Sequence, residues 1–554
     1  MFQRKRIALG ILLIFALGIR ILDLPHPSYV RDRDEIGYLS GGILLWEGIT
    51  PGFKMSPTAP LTWLGWGYCA ALSAKHFWVS AETEGRVPVL AKPFWAVEQA
   101  LFDIYQDLTP LRQIAIMLIT LVSLLGIWAG FETGYFRAQL PGAILTGGLI
   151  AFLPLFVTFS GMARPYLLGW SFAVIAHSLA VTQVGNRRIM GSAIFMGLSL
   201  SSRIEMVAFA PLILWELWYR KDPLHLGQQV CKFFSIALIT TLLMSPWIIT
   251  NFLGNLRTIA YYRYLFSPRF ADTWAETLHA FIWAEGLGPT VIIFFVGLLF
   301  APPNQRKIMW FFGVMITFLL LSMFKPTHYG LRHQGAILVA LIVSVSLPLH
   351  FIQRSRPRIG VILVAVGLAL PFFHTTTHIA EVRAIEAPDS ATKWVEQNIP
   401  PGTTIYLRPS FFDPLPTRQS ADRLWGEVTN GDAWRKKFEQ GLGRLHLPRT
   451  FIPRALSEEN LIQERGNRRR WFILGGPEEA SRPRFNIQLF SGGSPFDIPA
   501  DQVAGEYQKT GGVLVWHGWP LQELGEPQVF WNNRQGWGTY IYVSLPGGSR
   551  KWAG

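Results

Sequence analysis

Long apolar runs constrain this chain more than any other feature of its sequence. From the N-terminus to about residue 375, runs of about 16 to 20 mostly apolar residues recur, each long enough for a helix that crosses a bilayer. Half of the 554 residues are hydrophobic. The sequence therefore predicts a polytopic α-helical membrane protein with about eleven spans. The predicted spans are 7–24, 111–130, 141–160, 166–183, 189–203, 204–219, 232–250, 287–301, 308–324, 334–352 and 359–375.

Basic residues in the short loops predict the side of the membrane on which each loop lies. If the N-terminus is cytoplasmic, the cytoplasmic loops hold eleven lysines and arginines and the short outer loops four, which is the positive-inside bias. The eleven are Arg137, Arg187, Arg188, Arg220, Lys221, Lys232, Arg306, Lys307, Arg354, Arg356 and Arg358; the four are Arg164, Arg203, Lys325 and Arg332. This bias and contact with anionic lipid explain the net charge of +14, so we expect no nucleic-acid partner. The compact loops suit the inner (plasma) membrane of a bacterium.

One apolar stretch, residues 60–77, is long enough to span but is predicted not to. If it crossed the membrane, every later loop would change sides and the positive-inside bias would reverse. It is rich in tryptophan, as helices that lie in the membrane interface are. Residues 35–48 and 88–106 are predicted as further interfacial helices within an outer loop, 25–110. In the alternative arrangement, residues 60–77 do span and an extra span within 78–110 compensates, so the later loops keep their sides and the bias is preserved.

The pattern changes near residue 380. Short apolar segments there alternate with Pro, Gly, Arg and Asp, which is typical of a water-soluble domain. Residues 389–398 form a capped helical pattern, and a β-branched strand pattern follows at 403–407. Later strand patterns lie at 470–474, 512–517 and 538–545. We therefore expect a transmembrane domain over 1–375 and an extracytoplasmic α/β domain over 376–554.

An acidic and basic cluster, Arg31 to Glu35, follows the first predicted span. Charges this dense are expected at or beyond a membrane face rather than in hydrocarbon. Asp34 could there deprotonate an acceptor hydroxyl as a general base. Asp32 and Asp34 could instead hold a divalent cation, Mg or Mn, against a phosphate leaving group. The same carboxylates could also pair with Arg31 and Arg33 in a solvated loop.

Several short motifs occur in a fixed order along the predicted outer face. Asp34, Glu35 and Tyr38 form D-E-x-x-Y, and Gly48 to Pro51 form G-x-x-P. Residues 55–61, MSPTAPL, keep a Pro-Leu pair, and Lys54 directly precedes them. Further along, residues 163–166 read A-R-P-Y and residues 328–333 read H-Y-G-L-R-H.

In this order and on this face, the motifs resemble those of the GT-C glycosyltransferase superfamily. The similarity is to the protein O-mannosyltransferase-like and aminoarabinose-transferase-like group, which uses polyprenyl-phosphate sugars, and it extends over about 400 residues. The chain departs from the group at two places. The Pro-Pro-Leu motif lacks its Pro-Pro pair and adjacent base, which Lys54 would replace, and His333 stands where the group has Tyr.

The resemblance implies inverting transfer of a sugar from a polyprenyl-phosphate donor, at the outer membrane face, to an acceptor that is a protein, a glycan or a lipid. It implies that Asp34 is the base and that Glu35 or Asp32 orients the acceptor or helps bind a cation. Arginine forks can hold the donor phosphate through paired hydrogen bonds, although arginines at span ends also serve as plain interfacial anchors. The expected phosphate-binding residues are Arg332, Arg164, Lys54 and His333, with Tyr38 completing the acidic motif.

Two other functions stay open at this point. A transporter or flippase of a lipid-linked saccharide should carry polar or broken helices at mid-bilayer, whereas the predicted spans are largely apolar. A non-catalytic scaffold of an envelope complex would account for the incomplete Pro-Leu motif and for His333.

Overall fold

The structure is a computed structural model that describes the following residues: 2–24, 34–46, 59–82, 96–97, 100–101, 103–104, 109–219, 226–250, 282, 285–303, 305–306, 335–384, 404–407, 452–455, 470–477, 512–517 and 537–544. The helices are α1 Phe2–Asp23, α2 Asp34–Trp46, α3 Ala59–Glu82, α4 Thr109–Phe152, α5 Pro154–Ser160, α6 Tyr166–Thr182, α7 Gly185–Ser202, the 3₁₀ helix Ile204–Phe209, α8 Ala210–Tyr219, α9 Leu226–Met244, α10 Trp247–Thr250, α11 Gly288–Phe300, α12 Gly335–Ser344, α13 Ser346–Ser355 and α14 Pro357–Ala384. The strands are β1 Thr404–Leu407, β2 Ile452–Ala455, β3 Arg470–Pro477, β4 Gly512–His517 and β5 Trp537–Ser544.

The chain divides into two compact units. The first comprises Met1–Leu24, Tyr38–Val97 and Thr109–Ile379, and it contains most of the helices. The second comprises Pro25–Gly37, Glu98–Leu108 and Ala380–Gly554, and it contains the strands.

The helices confirm the predicted polytopic membrane fold. Within the described residues, four helical stretches are long and apolar enough to cross a bilayer, and two shorter helices, α6 and α11, are also apolar. The four are Pro110–Phe152, Gly227–Met244, Gly335–Ser355 and Pro357–Thr377. The helices leave large apolar side chains exposed, for example Leu243 and Leu299, at about three-quarters of their surface, as a lipid-facing side requires.

The count of eleven spans stays a prediction, because one predicted span, 308–324, lies outside the described residues. Helix α2 covers most of the predicted interfacial helix 35–48, and α3 covers the ambiguous stretch 60–77 as one helix. Helix α3 is not among the four stretches that are apolar and long enough to span. Most of the third interfacial candidate, 88–106, lies outside the described residues.

Helix α4 is a hairpin of two antiparallel arms. Its backbone leaves helical geometry at Ala138 and Gln139, and Gln139 has a positive φ of 53°. Across the hairpin, Gly134 and Gly142 approach so closely that a Cβ on either would collide with the other's carbonyl oxygen. The two arms correspond to the predicted spans 111–130 and 141–160; the second predicted span is broken at Leu153, before Pro154 at the start of α5.

A buried ionic network holds the tip of this hairpin. Arg137 donates hydrogen bonds to the carboxylate of Glu216 on α8 and, at 2.8 Å, to the carbonyl oxygen of Val343 on α12. His177 on α6 lies 3.5 Å from the Arg137 guanidinium, and Arg188 on α7 donates to the carbonyl oxygen of Glu216. The network therefore joins five helices through charges that are almost fully withdrawn from solvent.

A second buried carboxyl, Glu285, lies just before α11. One carboxylate oxygen accepts a hydrogen bond from the backbone N–H of Leu155 at 3.2 Å, and the other has no hydrogen-bond partner among the described residues. Gly286 follows with a positive φ of 69°, and its backbone lies against Leu370 and Pro371 of α14. Burial raises the pKa of Glu285 to about 8, because the ionised carboxyl loses its hydration there.

The strands form one five-stranded sheet in the order β2-β1-β3-β5-β4. Strand β1 is parallel to β2 and β3, whereas β5 is antiparallel to β3 and β4. The four predicted strands match β1, β3, β4 and β5. Strand β2 was not predicted, and its Pro453 is tolerated because β2 is an edge strand. The predicted helix 389–398 lies outside the described residues, so the α/β assignment stays a prediction.

Removing Glu216 should destabilise the protein strongly. Glu216→Leu leaves Arg137 buried without its carboxylate, a change that typically costs about 3–5 kcal/mol, whereas the double variant Arg137→Met with Glu216→Leu should recover much of the loss. Thermal unfolding in detergent measures both effects. Lys232→Met is the matched control, because Lys232 bonds Asn186 on an exposed surface. A Glu216→Leu melting temperature equal to that of the control would contradict the account.

Glu285 should make stability depend on pH. Its pKa is raised from 4.5 to about 8, so the stability contributed by the bound proton is complete below pH 4.5 and is lost as the pH rises through 8. Glu285→Gln cannot ionise and can still accept from Leu155. We expect the variant to gain melting temperature relative to wild type between pH 5 and pH 9. Parallel pH profiles of the two proteins would contradict this, and Glu132→Gln serves as a control.

Candidate functional site

The A-R-P-Y motif forms the bend between α5 and α6. The backbone N–H of Arg164 donates to the carbonyl oxygen of Met162 at 2.8 Å, and Pro165, with φ of −76°, directly precedes the first residue of α6. Proline suits this position because its fixed φ is already close to the helical value. Arg164 and Tyr166 are both buried at the bend. The predicted phosphate ligand Arg164 therefore lies in the protein interior rather than in solvent.

Aromatic rings surround Tyr166. The rings of Phe159 and Trp170 have centroids 4.9 Å and 6.1 Å from that of Tyr166, and they also contact each other at 5.4 Å. Phe156 completes the cluster at 5.2 Å from Trp170. Trp170 follows Tyr166 by one helical turn, so the two side chains lie on the same side of α6. Tyr166 is thus held in a fixed orientation.

Arg203 covers the open face of the Tyr166 ring. The centre of its guanidinium lies 3.9 Å from the ring centroid, a cation–π geometry that is worth more when the cation is desolvated. The Nε of Arg203 donates to Glu205 at 2.5 Å, and the two side chains form an ion pair. The stacking of Arg203 on Tyr166 was not predicted from the sequence.

Helices α6 and α7 pack closely enough to bring Arg203 to Tyr166. Arg203 caps α7 with an extended backbone, φ −152° and ψ 110°. Gly169 leaves room for it, since a Cβ there would lie 3.1 Å from the Cβ of Arg203. Ser199 donates to the carbonyl oxygen of Gly169 at 2.7 Å, which fixes the crossing. The position of Arg203 is therefore set by main-chain packing.

Tyr38, the tyrosine of the D-E-x-x-Y motif, interacts electrostatically with Arg203, as Tyr166 does. Tyr38 and Tyr166 come from two motifs far apart in the sequence, and both lie in the first unit.

The acidic residues of that motif begin α2. Asp34 is the first residue of the helix, and Glu35, which follows it, is buried. Further along, α2 lies against α3 without intervening side chains, because a Cβ on Gly65 would lie 2.9 Å from the carbonyl oxygen of Leu39. Helix α2 is therefore held by α3 at Leu39, about one helical turn after the acidic residues.

The late H-Y-G-L-R-H segment, residues 328–333, lies outside the described residues, and the described chain resumes two residues later at the start of α12. Gly335, the first residue of α12, touches the indole of Trp170 so closely that any side chain at 335 would collide with the indole nitrogen. Within the part of the chain that the structure describes, that indole N–H has no hydrogen-bond partner. The chain two residues after His333 therefore reaches the aromatic cluster that holds Tyr166.

Four predicted site residues, Asp32, Lys54, Arg332 and His333, lie outside the described residues. The structure brings Tyr166 together with Arg164, Trp170 and Arg203, and it brings Gly335 against Trp170. In the part of the chain that the structure describes, no group of three His, Cys, Asp or Glu residues could hold a metal ion. The proposed cation ligands Asp32 and Asp34 thus stay a prediction.

Neither a protein-family model nor a curated protein sequence matches the chain. Among solved structures, it is similar to ArnT from Cupriavidus metallidurans in the apo state, at 11% identity, 98% of this chain, 99% of that chain and a TM-score of 0.46. It is also similar to ArnT from the same organism bound to undecaprenyl phosphate, at 11% identity over 98% of this chain and 99% of that chain, with a TM-score of 0.45. A further similar structure is the oligosaccharyltransferase AglB from Archaeoglobus fulgidus, in complex with an inhibitory peptide and a dolichol-phosphate. The identity is 10% over 85% of this chain and 69% of that chain, and the TM-score is 0.36.

Proposed function

We propose that the protein transfers a sugar from a polyprenyl-phosphate donor to an acceptor at the outer face of a bacterial inner membrane. The observation that carries this proposal is the cluster at the A-R-P-Y motif, where the buried guanidinium groups of Arg164 and Arg203 both lie over the ring of Tyr166. This motif resembles one of the polyprenyl-phosphate-sugar transferases. Buried cations at the motif are expected if it stabilises the phosphate of the donor.

Asp34 takes the proton of the acceptor hydroxyl in this proposal. Its position at the first turn of α2 places it one turn before Tyr38. Glu35 or Asp32 orients the acceptor or helps to bind a divalent cation. With the base on one side of the sugar and the phosphate leaving from the other, the anomeric carbon is inverted.

Arg332 and Arg164 stabilise the charge that develops on the departing lipid phosphate, with Lys54 and His333 beside them. Arg164 is almost fully buried, and a cation in such a water-poor environment acts on a nearby charge more strongly than one in solvent. The lipid phosphate itself lies at headgroup level, where it meets the acceptor, which is a protein, a glycan or a lipid. The proposed architecture of the chain is eleven membrane spans and an extracytoplasmic α/β domain.

The loss of Asp34 should abolish transfer without abolishing donor binding. Asp34→Asn removes the base and should lower kcat by about 10²–10⁴-fold, the usual contribution of general base catalysis. The measurement is transfer of radiolabelled sugar by protein in nanodiscs, alongside equilibrium binding of the same donor. Glu132→Gln is the control, because Glu132 bonds Lys5 at 2.7 Å in a different part of the chain.

Two results would overturn the proposed role of Asp34. Transfer by Asp34→Asn at the rate of Glu132→Gln would exclude Asp34 as the base. Donor binding without turnover by the wild type, with a full set of acceptors present, would favour a carrier of lipid-linked saccharide.

A further inference from the structure

Glu285 holds the start of α5. Its Oε2 accepts a hydrogen bond from the backbone N–H of Leu155, the second residue of α5, at 3.2 Å. The first N–H groups of a helix have no carbonyl partner within the helix, so a buried helix start needs an acceptor from elsewhere. Pro154, the first residue of α5, has no N–H, which makes Leu155 the first donor of the helix. Glu285 supplies its acceptor from the segment before α11.

A carboxyl group is a costly choice for this task. Glu285 is fully buried, and its Oε1 has no hydrogen-bond partner within the described part of the chain. A serine or an asparagine can accept the same kind of hydrogen bond without burying an ionisable group. Ionisable groups whose burial changes their titration are concentrated at functional sites. The carboxyl at position 285 therefore points to a role beyond capping.

Helix α5 packs directly on the A-R-P-Y motif. All seven residues of the helix are buried. Two of its rings belong to the aromatic cluster: the ring centroid of Phe156 lies 5.2 Å from that of Trp170, and the ring centroid of Phe159 lies 4.9 Å from that of Tyr166. Because protein interiors are close-packed, a movement of α5 is transmitted to these rings.

The same helix leads along the chain to Arg164. It ends at Ser160, and three residues separate that end from Arg164. The centre of the Arg164 guanidinium lies 5.8 Å from the ring centroid of Tyr166. The chain connection and the ring contact therefore both tie the position of Arg164 to α5.

Other groups hold the α4 side of the break between α4 and α5. Arg20 donates to two of the last carbonyl oxygens of α4, and Thr375 on α14 donates to that of Phe152. These hydrogen bonds do not involve Glu285. A change at position 285 is therefore expected to act on α5 and to leave the end of α4 in place.

We propose that Glu285 is a positioning residue that fixes α5 and, through α5, places Arg164 and Tyr166 at the donor phosphate. The proposal rests on the proposed function, because Arg164 is there assigned to the departing phosphate. Glu285 acts through Leu155 and does not touch the substrate. Since Arg164 acts on charge that develops in the transition state, the loss of Glu285 should lower kcat and leave the donor KM nearly unchanged.

The first test needs no activity. Hydrogen–deuterium exchange of the α5 amides is measured in nanodiscs for wild type, Glu285→Met and Glu285→Gln. Glu285→Met removes the acceptor and should lower the protection of α5 by about tenfold, while α9 stays unchanged, because local opening becomes easier. Glu285→Gln keeps an acceptor for Leu155 and should retain the protection at pH 7. Glu132→Gln is the matched control, because Glu132 bonds Lys5 in a different part of the chain.

The pH dependence of this exchange is a readout that a packing role alone would not move. Burial raises the pKa of Glu285 to about 8, so the carboxyl is neutral at pH 7 and ionises above pH 8, where the charge favours contact with water. After correction for the intrinsic exchange rate, the protection of α5 in the wild type should fall by about tenfold between pH 7 and pH 9. The protection in Glu285→Gln should stay constant.

Other titratable groups near the break are separated from Glu285 by the same comparison. Helix α5 carries no titratable side chain, and His374 lies one turn after Leu370 on α14, where Gly286 makes contact. On α1, Arg20 bonds the end of α4, and Asp23 interacts electrostatically with Arg20. All three groups are present in Glu285→Gln, so a titration of any of them would appear in that variant as well.

The second test is kinetic. Glu285→Met should reduce kcat by about 10- to 100-fold through misplacement of Arg164, with the donor KM within about twofold of wild type. Glu285→Gln should match the wild type at pH 7, and the ratio of its kcat to that of the wild type should rise between pH 7 and pH 9. A rise in the donor KM of Glu285→Met with an unchanged kcat would overturn the positioning role.

The two tests separate this proposal from the proposed function. If the wild type transfers no sugar from any polyprenyl phosphate, the proposed function fails, and the exchange test still decides whether Glu285 fixes α5. If exchange of α5 in Glu285→Met equals that in Glu132→Gln, the positioning role is wrong. Should Glu285→Met fail to fold, the pH dependence decides instead. Parallel pH profiles of α5 protection in wild type and Glu285→Gln would overturn the proposal.

Discussion

The stacking of Arg203 on Tyr166 is the interaction on which the organisation of the candidate site depends. Burying a guanidinium between helices is costly unless its charge is compensated, and Glu205 supplies a counter-charge two residues away. The ion pair leaves little net charge buried, and the guanidinium fixes one face of the Tyr166 ring. Tyr38 interacts electrostatically with the same guanidinium.

Buried arginines serve the rest of the bundle in a similar way. Arg137 joins the tip of the α4 hairpin to α8 and α12. Arg20 donates to the carbonyl oxygens of Ile150 and Ala151, at the end of α4 where the last carbonyls lack helical partners, and to Ser123. Apolar packing alone gives little preference between helices in lipid, so these directed contacts specify which helices are neighbours.

The sequence predicted much of the fold, because its dominant signals are local. Apolar length indicated the helices, and two of the three stretches predicted as interfacial helices correspond to α2 and α3. Short apolar segments indicated β1, β3, β4 and β5, whereas β2, with the sequence IPRA, was not predicted.

The contacts of the site were harder to predict. The pairing of Arg203 with Glu205 follows from their separation in sequence, but its position over Tyr166 depends on how α6 crosses α7. The partners of His177 depend on the α4 hairpin in the same way. Glu285 gave no sequence signal, because a single carboxyl near an apolar segment does not reveal that its oxygen will be buried. Spacing identifies motifs, and only tertiary packing shows which motifs meet.

The central claim is that a polyprenyl-phosphate sugar is the donor. The most direct measurement is incubation of the purified wild-type protein in nanodiscs with a panel of radiolabelled polyprenyl-phosphate sugars and candidate acceptors. The account predicts that at least one donor is consumed, with polyprenyl phosphate released and the sugar recovered with inverted anomeric configuration. Absence of binding to every donor would contradict the account and would favour a scaffold of an envelope complex.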